Sequence, residues 1–155
     1  MKRIEGLIDV IKLCVRNAEQ LTGAKANISW GEISAERYPN RPMCQAFKDN
    51  MEILGIKMKW PDPKAQYGSS DIGNVSIKIP AIHDYLSITD DKTIQAHTKE
   101  YADAAKSEEA QEICLKGAKG LAMTGYDILS SDEFQAEIRR FHEQQIPDFY
   151  KKKKS

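Results

Sequence analysis

The chain has 155 residues, 41% of them apolar and 30% charged, with 23 basic and 23 acidic side chains and no formal net charge. That size suits one domain with a workable core, or a small domain plus part of another, and the balanced charge argues against nucleic-acid or anionic-membrane partners. No signal-peptide pattern follows Met1 and no apolar run approaches the roughly 18 residues a membrane helix needs, so the expected compartment is the cytoplasm.

Ile4, Leu7, Ile8, Ile11, Val15 and Ala18 recur at three- and four-residue steps, the apolar face of a helix that ends at Thr22 and Gly23. Ala26, Ile28 and Trp30 then alternate with Asn27 and Ser29, as a half-buried strand does. This opening helix and strand make a fragment with no first strand of its own. Residues 34–42 are polar and proline-punctuated, so a linker or domain crossing is expected there.

Asn40 can cap the next helix, with Pro42 in its first turn and Gly55 after its end; Met43, Ala46, Phe47, Asn50 and Leu54 mark the inner face. Ile56, Met58 and Trp60 alternate with Lys57 and Lys59, a short strand stopped by Pro61, Asp62 and Pro63. Residues 68–76 (Gly-Ser-Ser-Asp-Ile-Gly-Asn-Val-Ser) gather small and polar side chains around a single Asp. They read as a backbone turn close to a ligand or metal, leading into the strand-like run 77–79 and Pro80.

Residues 81–88, with His83, form a further strand candidate, and Thr98 is placed to cap a helix over 99–105. Ser107 with Glu108 and Glu109 opens the longest helix, whose Ala110, Cys114, Gly117, Leu121 and Ile128 make a small-residue stripe suited to close packing on a sheet. Ser131 and Asp132 open a last amphipathic helix through Phe134, Ile138 and Phe141, ended by Pro147. The run Lys151 to Lys154 lacks interleaved aromatics and reads as a solvated terminus. Cys14, Cys44 and Cys114, widely spaced and odd in number, read as reduced, buried thiols rather than a disulfide frame or zinc knuckle.

Taken in order, Ser69, Ser70, Asp71, Ile72, Gly73, Asn74, Val75 and Ser76, then Pro80, then His97, Thr98, Lys99, Glu100 and Tyr101, then Ser107, Glu108, Glu109 and Ala110 carry a likeness. The combination resembles the C-terminal part of the metal-dependent amidohydrolases of the aminoacylase and carboxypeptidase G superfamily, in particular the p-aminobenzoyl-glutamate hydrolase and β-alanyl dipeptidase branch. Ser70 stands where that branch tends to have Thr.

The resemblance implies an α/β fold. Residues 37–155 would be the C-terminal portion of a zinc-peptidase-like catalytic domain, helices packed on a mixed sheet. Residues 1–36 would be the closing helix and strand of an α+β lid domain that often makes the dimer contact.

Such enzymes hydrolyse amides with two zinc ions sharing an activated water and a carboxylate base, which calls for about five His or carboxylate ligands. The family supplies most of these, a His-x-Asp pair and a Glu-Glu pair included, from its N-terminal half; this chain has three histidines and no His-x-Asp.

His97 matches the family's last metal ligand, although read alone it is a surface histidine before a helix cap. Glu108 and Glu109 read as helix-end electrostatics, not as the acid pair. His83 beside Asp84 is a neutral, backbone-bonded histidine or a substrate-facing one, and His142 reads as solvated. Asp71, with Ser70 and Asn74 in the same turn, either orients a metal ligand and lines the substrate pocket or ties the turn through local N–H bonds. Asn40 and Arg41 reach a substrate carboxylate or serve as cap and linker.

The expected function is that of a C-terminal portion of a zinc-dependent amidohydrolase, cleaving N-acyl amino acid or dipeptide-like amides and inactive without an N-terminal half. The alternative is a non-catalytic remnant serving as a binding or assembly module. On that reading an open sheet edge and uncovered apolar surface predict self-association of the isolated chain.

Overall fold

The structure, a computed structural model, describes residues 2–62 and 68–151. Pro63 and the lysines at 152–154 lie outside the described residues. Six helices follow in order: α1 (Lys2–Thr22), α2 (Arg41–Ile53), α3 (Ile72–Ser76), α4 (Lys99–Ala104), α5 (Glu108–Ser130) and α6 (Asp132–Gln145).

The helix boundaries follow from local capping chemistry. Each of Asn40, Thr98, Ser107 and Ser131 accepts, through its side-chain oxygen, the N–H three residues on, at 3.3, 3.1, 3.1 and 3.1 Å. Glu108 and Glu109 occupy the first turn of α5, where carboxylates complement the positive helix end. Glycines of positive φ, Gly23 and Gly55, follow α1 and α2.

The main core is the packing of α2, α5 and α6 on one another. Phe47 and Met51 of α2 are 3% and 0% exposed, each contributing about 1.5–3 kcal/mol by leaving water. They approach α5 closely because it presents glycine: a Cβ at Gly120 would meet Met51 Sδ, and one at Gly117 would lie 2.7 Å from Leu86 Cδ1. The buried stripe of α5 is thus Ala110, Gly117, Gly120 and Thr124. Cys114 and Leu121, expected in that stripe, are exposed; the close-packed line follows the residues without bulk and meets a helix. Asn50, the polar break on the inner face of α2, is buried and donates to Thr124 Oγ1 at 3.2 Å and Asp127 Oδ2 at 2.8 Å, so its burial is compensated.

A second, smaller core joins Ala35, Ile77 and Ile146, flanked by Tyr38 and Tyr150. The two tyrosine rings meet edge to face at 6.1 Å, and Tyr150 donates its hydroxyl to Glu36 Oε2 at 2.5 Å. The stretch 34–42, read from composition as a linker or domain crossing, therefore carries some of the shortest hydrogen bonds in the molecule. Ala35 and Asn40 are both buried. Composition reports polarity, whereas here the polar groups serve main-chain pairing.

Among the described residues the β pairing is a single parallel bridge between Pro39 and Ala81. Residues 26–30 and 56–60, patterned as strands, have no ladder partner, 81–88 pair through Ala81 alone, and 77–79 continue α3 as turns. Alternation records which side chains leave water; a ladder also needs a neighbouring strand for its N–H and C=O groups. The α1 helix keeps its expected apolar periodicity, yet over residues 4–22 only Ile8, Val15 and Glu19 are half-buried, and Ile4, Leu7, Ile11 and Leu21 face solvent. No helix among the described residues is long and apolar enough to cross a membrane.

Candidate functional site

The stretch 68–76 folds as a turn running into α3, and its polar side chains are directed at the chain segment 33–38. Asn74 Oδ1 accepts the Ala35 N–H at 2.6 Å while its Nδ2 donates to the Ile33 carbonyl at 3.1 Å. Ser76 Oγ accepts the Tyr38 N–H at 3.0 Å and donates to the Gly73 carbonyl at 2.8 Å. Gly73 is buried against the same segment, and a Cβ there would run into the Ala35 carbonyl oxygen, a main-chain atom that cannot swing aside. Small residues were read as room for a ligand; the close neighbour they admit is another stretch of this chain.

Ser70 and Asp71 begin the turn. Ser70 Oγ accepts the Ile72 N–H at 3.3 Å and lies 3.4 Å from Asp71 Oδ1. The Asn74 N–H goes to the main-chain carbonyl of Asp71 at 2.8 Å, and the carboxylate makes no cap bond to α3. Asp71 is exposed and Ser70 half-buried.

Asn40 is fully buried and every polar group of its side chain is used. Nδ2 donates to the Ile138 carbonyl at 3.0 Å, Oδ1 caps α2, and its own N–H reaches the Ala81 carbonyl at 2.8 Å. It joins α2, α6 and the segment at 81. Arg41, beside it, lies over the Trp60 ring at 5.0 Å.

Between the start of α2, residues 58–61 and residues 81–85 lies a cleft of about 390 Å³, within the range of small-molecule sites. Ile72 and Ser76 of α3 reach it, as do Cys44, Trp60, His83 and Asp84. His83 is exposed and stacks on Tyr85 with ring centroids 4.9 Å apart. Tyr85 Oη in turn accepts from Arg37 Nη1 at 2.8 Å.

Asp84 Oδ2 is buried and has no hydrogen-bond partner. Burial raises the Asp84 carboxyl above its usual range, against a smaller opposing pull from His83. Burial, with the Asp84 charge second, pushes the Cys44 thiol up to about 12. Sequence reading named Asp84 only as the neighbour of His83 and Cys44 only as a reduced thiol, and assigned neither to a site; the signal available was the Asp following His83 in an apolar segment.

His97 is not among the residues that line this cleft. It is exposed, in the turn before α4, with a φ of 68° that a non-glycine residue adopts at a cost. Among the described residues no group of three or more His, Cys, Asp and Glu side chains is arranged to hold a metal ion. The side chains present do not by themselves build a zinc centre, and no reaction step is assigned to one.

Two readings are corrected. His142, expected to be solvated, is half-buried, with Nε2 2.9 Å from the Ser76 carbonyl. A carbonyl can only accept, so Nε2 carries the proton. Of the thiols read as buried, Cys14 and Cys114 are exposed and Cys44 is half-buried, all three free. Cys14 lies on the uncovered α1, and Cys114 lies off the line of α5 that meets its neighbours.

No protein-family model matches the chain. Two curated proteins do resemble it: the Xaa-Arg dipeptidase of Mus musculus is 34% identical over 146 residues, and that of Homo sapiens 35% over 142. Each match takes in 90% of this chain but 33% and 32% of the relative, so the chain spans about a third of the length of the curated relatives it matches. The likeness supports a peptidase-type family.

Proposed function

We propose that this chain forms the C-terminal portion of a zinc-dependent amidohydrolase that cleaves dipeptides or related N-acyl amino acids, arginine-ended dipeptides being the first candidates. The observation that carries the reading is the 34–35% identity to Xaa-Arg dipeptidases along nine-tenths of the chain but only a third of theirs. His97 would then be one ligand of a metal centre whose remaining ligands, and whose base, come from outside this chain. Its costly left-handed backbone is in keeping with a residue held for function. The strand-patterned segments without partners would complete a mixed sheet with the rest of such an enzyme.

On this reading the chain alone hydrolyses nothing. The test is an assay of the pure 155-residue chain with zinc and Xaa-Arg dipeptides. No turnover is expected; metal-dependent cleavage that His97→Ala abolishes would overturn the reading.

The second reading, a non-catalytic assembly module, is favoured by the exposed apolar side chains, among them Leu21 at 87% and Leu129 at 82%. This second reading leads us to expect self-association of the isolated chain. A monodisperse monomer in sedimentation at micromolar concentration would count against the assembly module in particular.

A further inference from the structure

We propose that the cleft beside α2 binds the arginine-like end of a small zwitterionic ligand, with Asp84 as the acceptor for its guanidinium. Three observations carry this. First, the cleft is of ligand size, and its lining combines apolar side chains, among them Met58, Pro61 and Ile82, with charged and polar ones.

Second, Asp84 is an acid in that lining whose Oδ2 is buried and bonded to nothing. A buried acceptor left without a donor is costly, and a planar guanidinium supplies two parallel N–H donors to one carboxylate. A single ammonium supplies a point charge without that match. With no set of three metal-ligating side chains among the described residues, an organic cation suits the site better than a metal ion.

Third, the other charges around the cleft are of opposite sign. Arg37, Lys48 and Lys59 line it, although Arg37 donates to Tyr85 Oη at 2.8 Å and Lys48 faces Glu52 at 3.5 Å. One acid among three cations does not suit a simple cation, which the lysines would repel. It suits a molecule carrying a carboxylate at one end and a guanidinium at the other, which is what a C-terminal arginine residue presents.

The choice of arginine as ligand rests on the dipeptidase reading; the acceptor role of Asp84 does not. The experiment is calorimetric titration of the 155-residue chain with L-arginine and with L-citrulline, its uncharged near-isostere, in the wild type and in Asp84→Asn. We expect arginine to bind about tenfold or more tightly than citrulline in the wild type, and this preference to vanish in Asp84→Asn. Equal affinity for the two ligands in the wild type, no arginine binding, or a preference that survives Asp84→Asn would each overturn the proposal. The comparison of ligands in the wild type stands whether or not the variant folds. Because the readout is binding by this chain alone, it is independent of whether any assembled enzyme turns over.

Discussion

Asn74 reaches across 39 positions of sequence to accept the main-chain N–H of Ala35 at 2.6 Å, and its amide nitrogen returns a bond to the Ile33 carbonyl. One side chain thus satisfies a donor and an acceptor of a segment that has no strand beside it. Asn74→Ala would strip both, and should lower unfolding free energy by about 1–3 kcal/mol. Asn74→Asp keeps the acceptor but loses the donor and should fall between the two. Urea denaturation of the three proteins checks the order.

Gly73 and Gly120 are both too crowded for a Cβ, but their neighbours differ. At Gly73 the obstacle is the Ala35 carbonyl; at Gly120 it is Met51 Sδ. Main chain pinned by Asn74 and Ser76 cannot yield, whereas a thioether can change rotamer. Gly73→Ala should cost about 1–3 kcal/mol. Gly120→Ala should cost less, since helix propensity returns up to about 1 kcal/mol. Thermal melts showing Gly120→Ala as the more damaging change would contradict this packing.

Asp84 makes a prediction with a definite sign. Its carboxyl is raised in the folded chain, so folding is penalised when the group is ionised and not when it is neutral. The penalty is complete at pH above the raised folded value and absent below the ordinary value of about 4. Asp84→Asn should therefore stabilise the chain at pH 7, by about 1 kcal/mol after allowance for partial exposure. That gain should disappear as the pH falls below 4. Melting temperatures across pH 3.5–7.5 measure it; a gain that grows toward acid would contradict the assignment.

The thiols should separate by rate. Cys14 and Cys114 are exposed, while Cys44 is half-buried with its thiol pushed up to about 12. The thiolate is the reactive form. Two thiols should react promptly with a disulfide reagent at pH 8 and the third at least about tenfold more slowly. Cys44→Ser should remove only the slow phase.

How much of this was legible in the sequence depended on the range of the interaction. The caps at Asn40, Thr98, Ser107 and Ser131 join residues three apart, so residue type and spacing were enough. The helix in 68–76 was not legible: its polar residues are used on a segment more than 30 positions away, and a glycine pressed on backbone looks in sequence like one awaiting a ligand. His142 was misread because the charged residues around it on α6 conceal one ring turned to Ser76. The α5 stripe was legible in part: Ala110 and Gly117 lie on the buried line, whereas Gly120 and Thr124 take the places beside them that Cys114 and Leu121, which only fit the same period, do not. Asp84 needed three dimensions, because nothing local shows that its carboxylate lacks a donor.

The central claim is that this chain holds part of a peptidase site and needs a second portion to act. The direct measurement mixes it with a polypeptide covering the portion of the mouse relative that it does not match, and follows hydrolysis of an Xaa-Arg dipeptide. Turnover is expected in the mixture only, and His97→Ala in this chain should abolish it. Turnover by this chain alone, or a stable complex of the two that remains inactive with zinc present, would contradict the account.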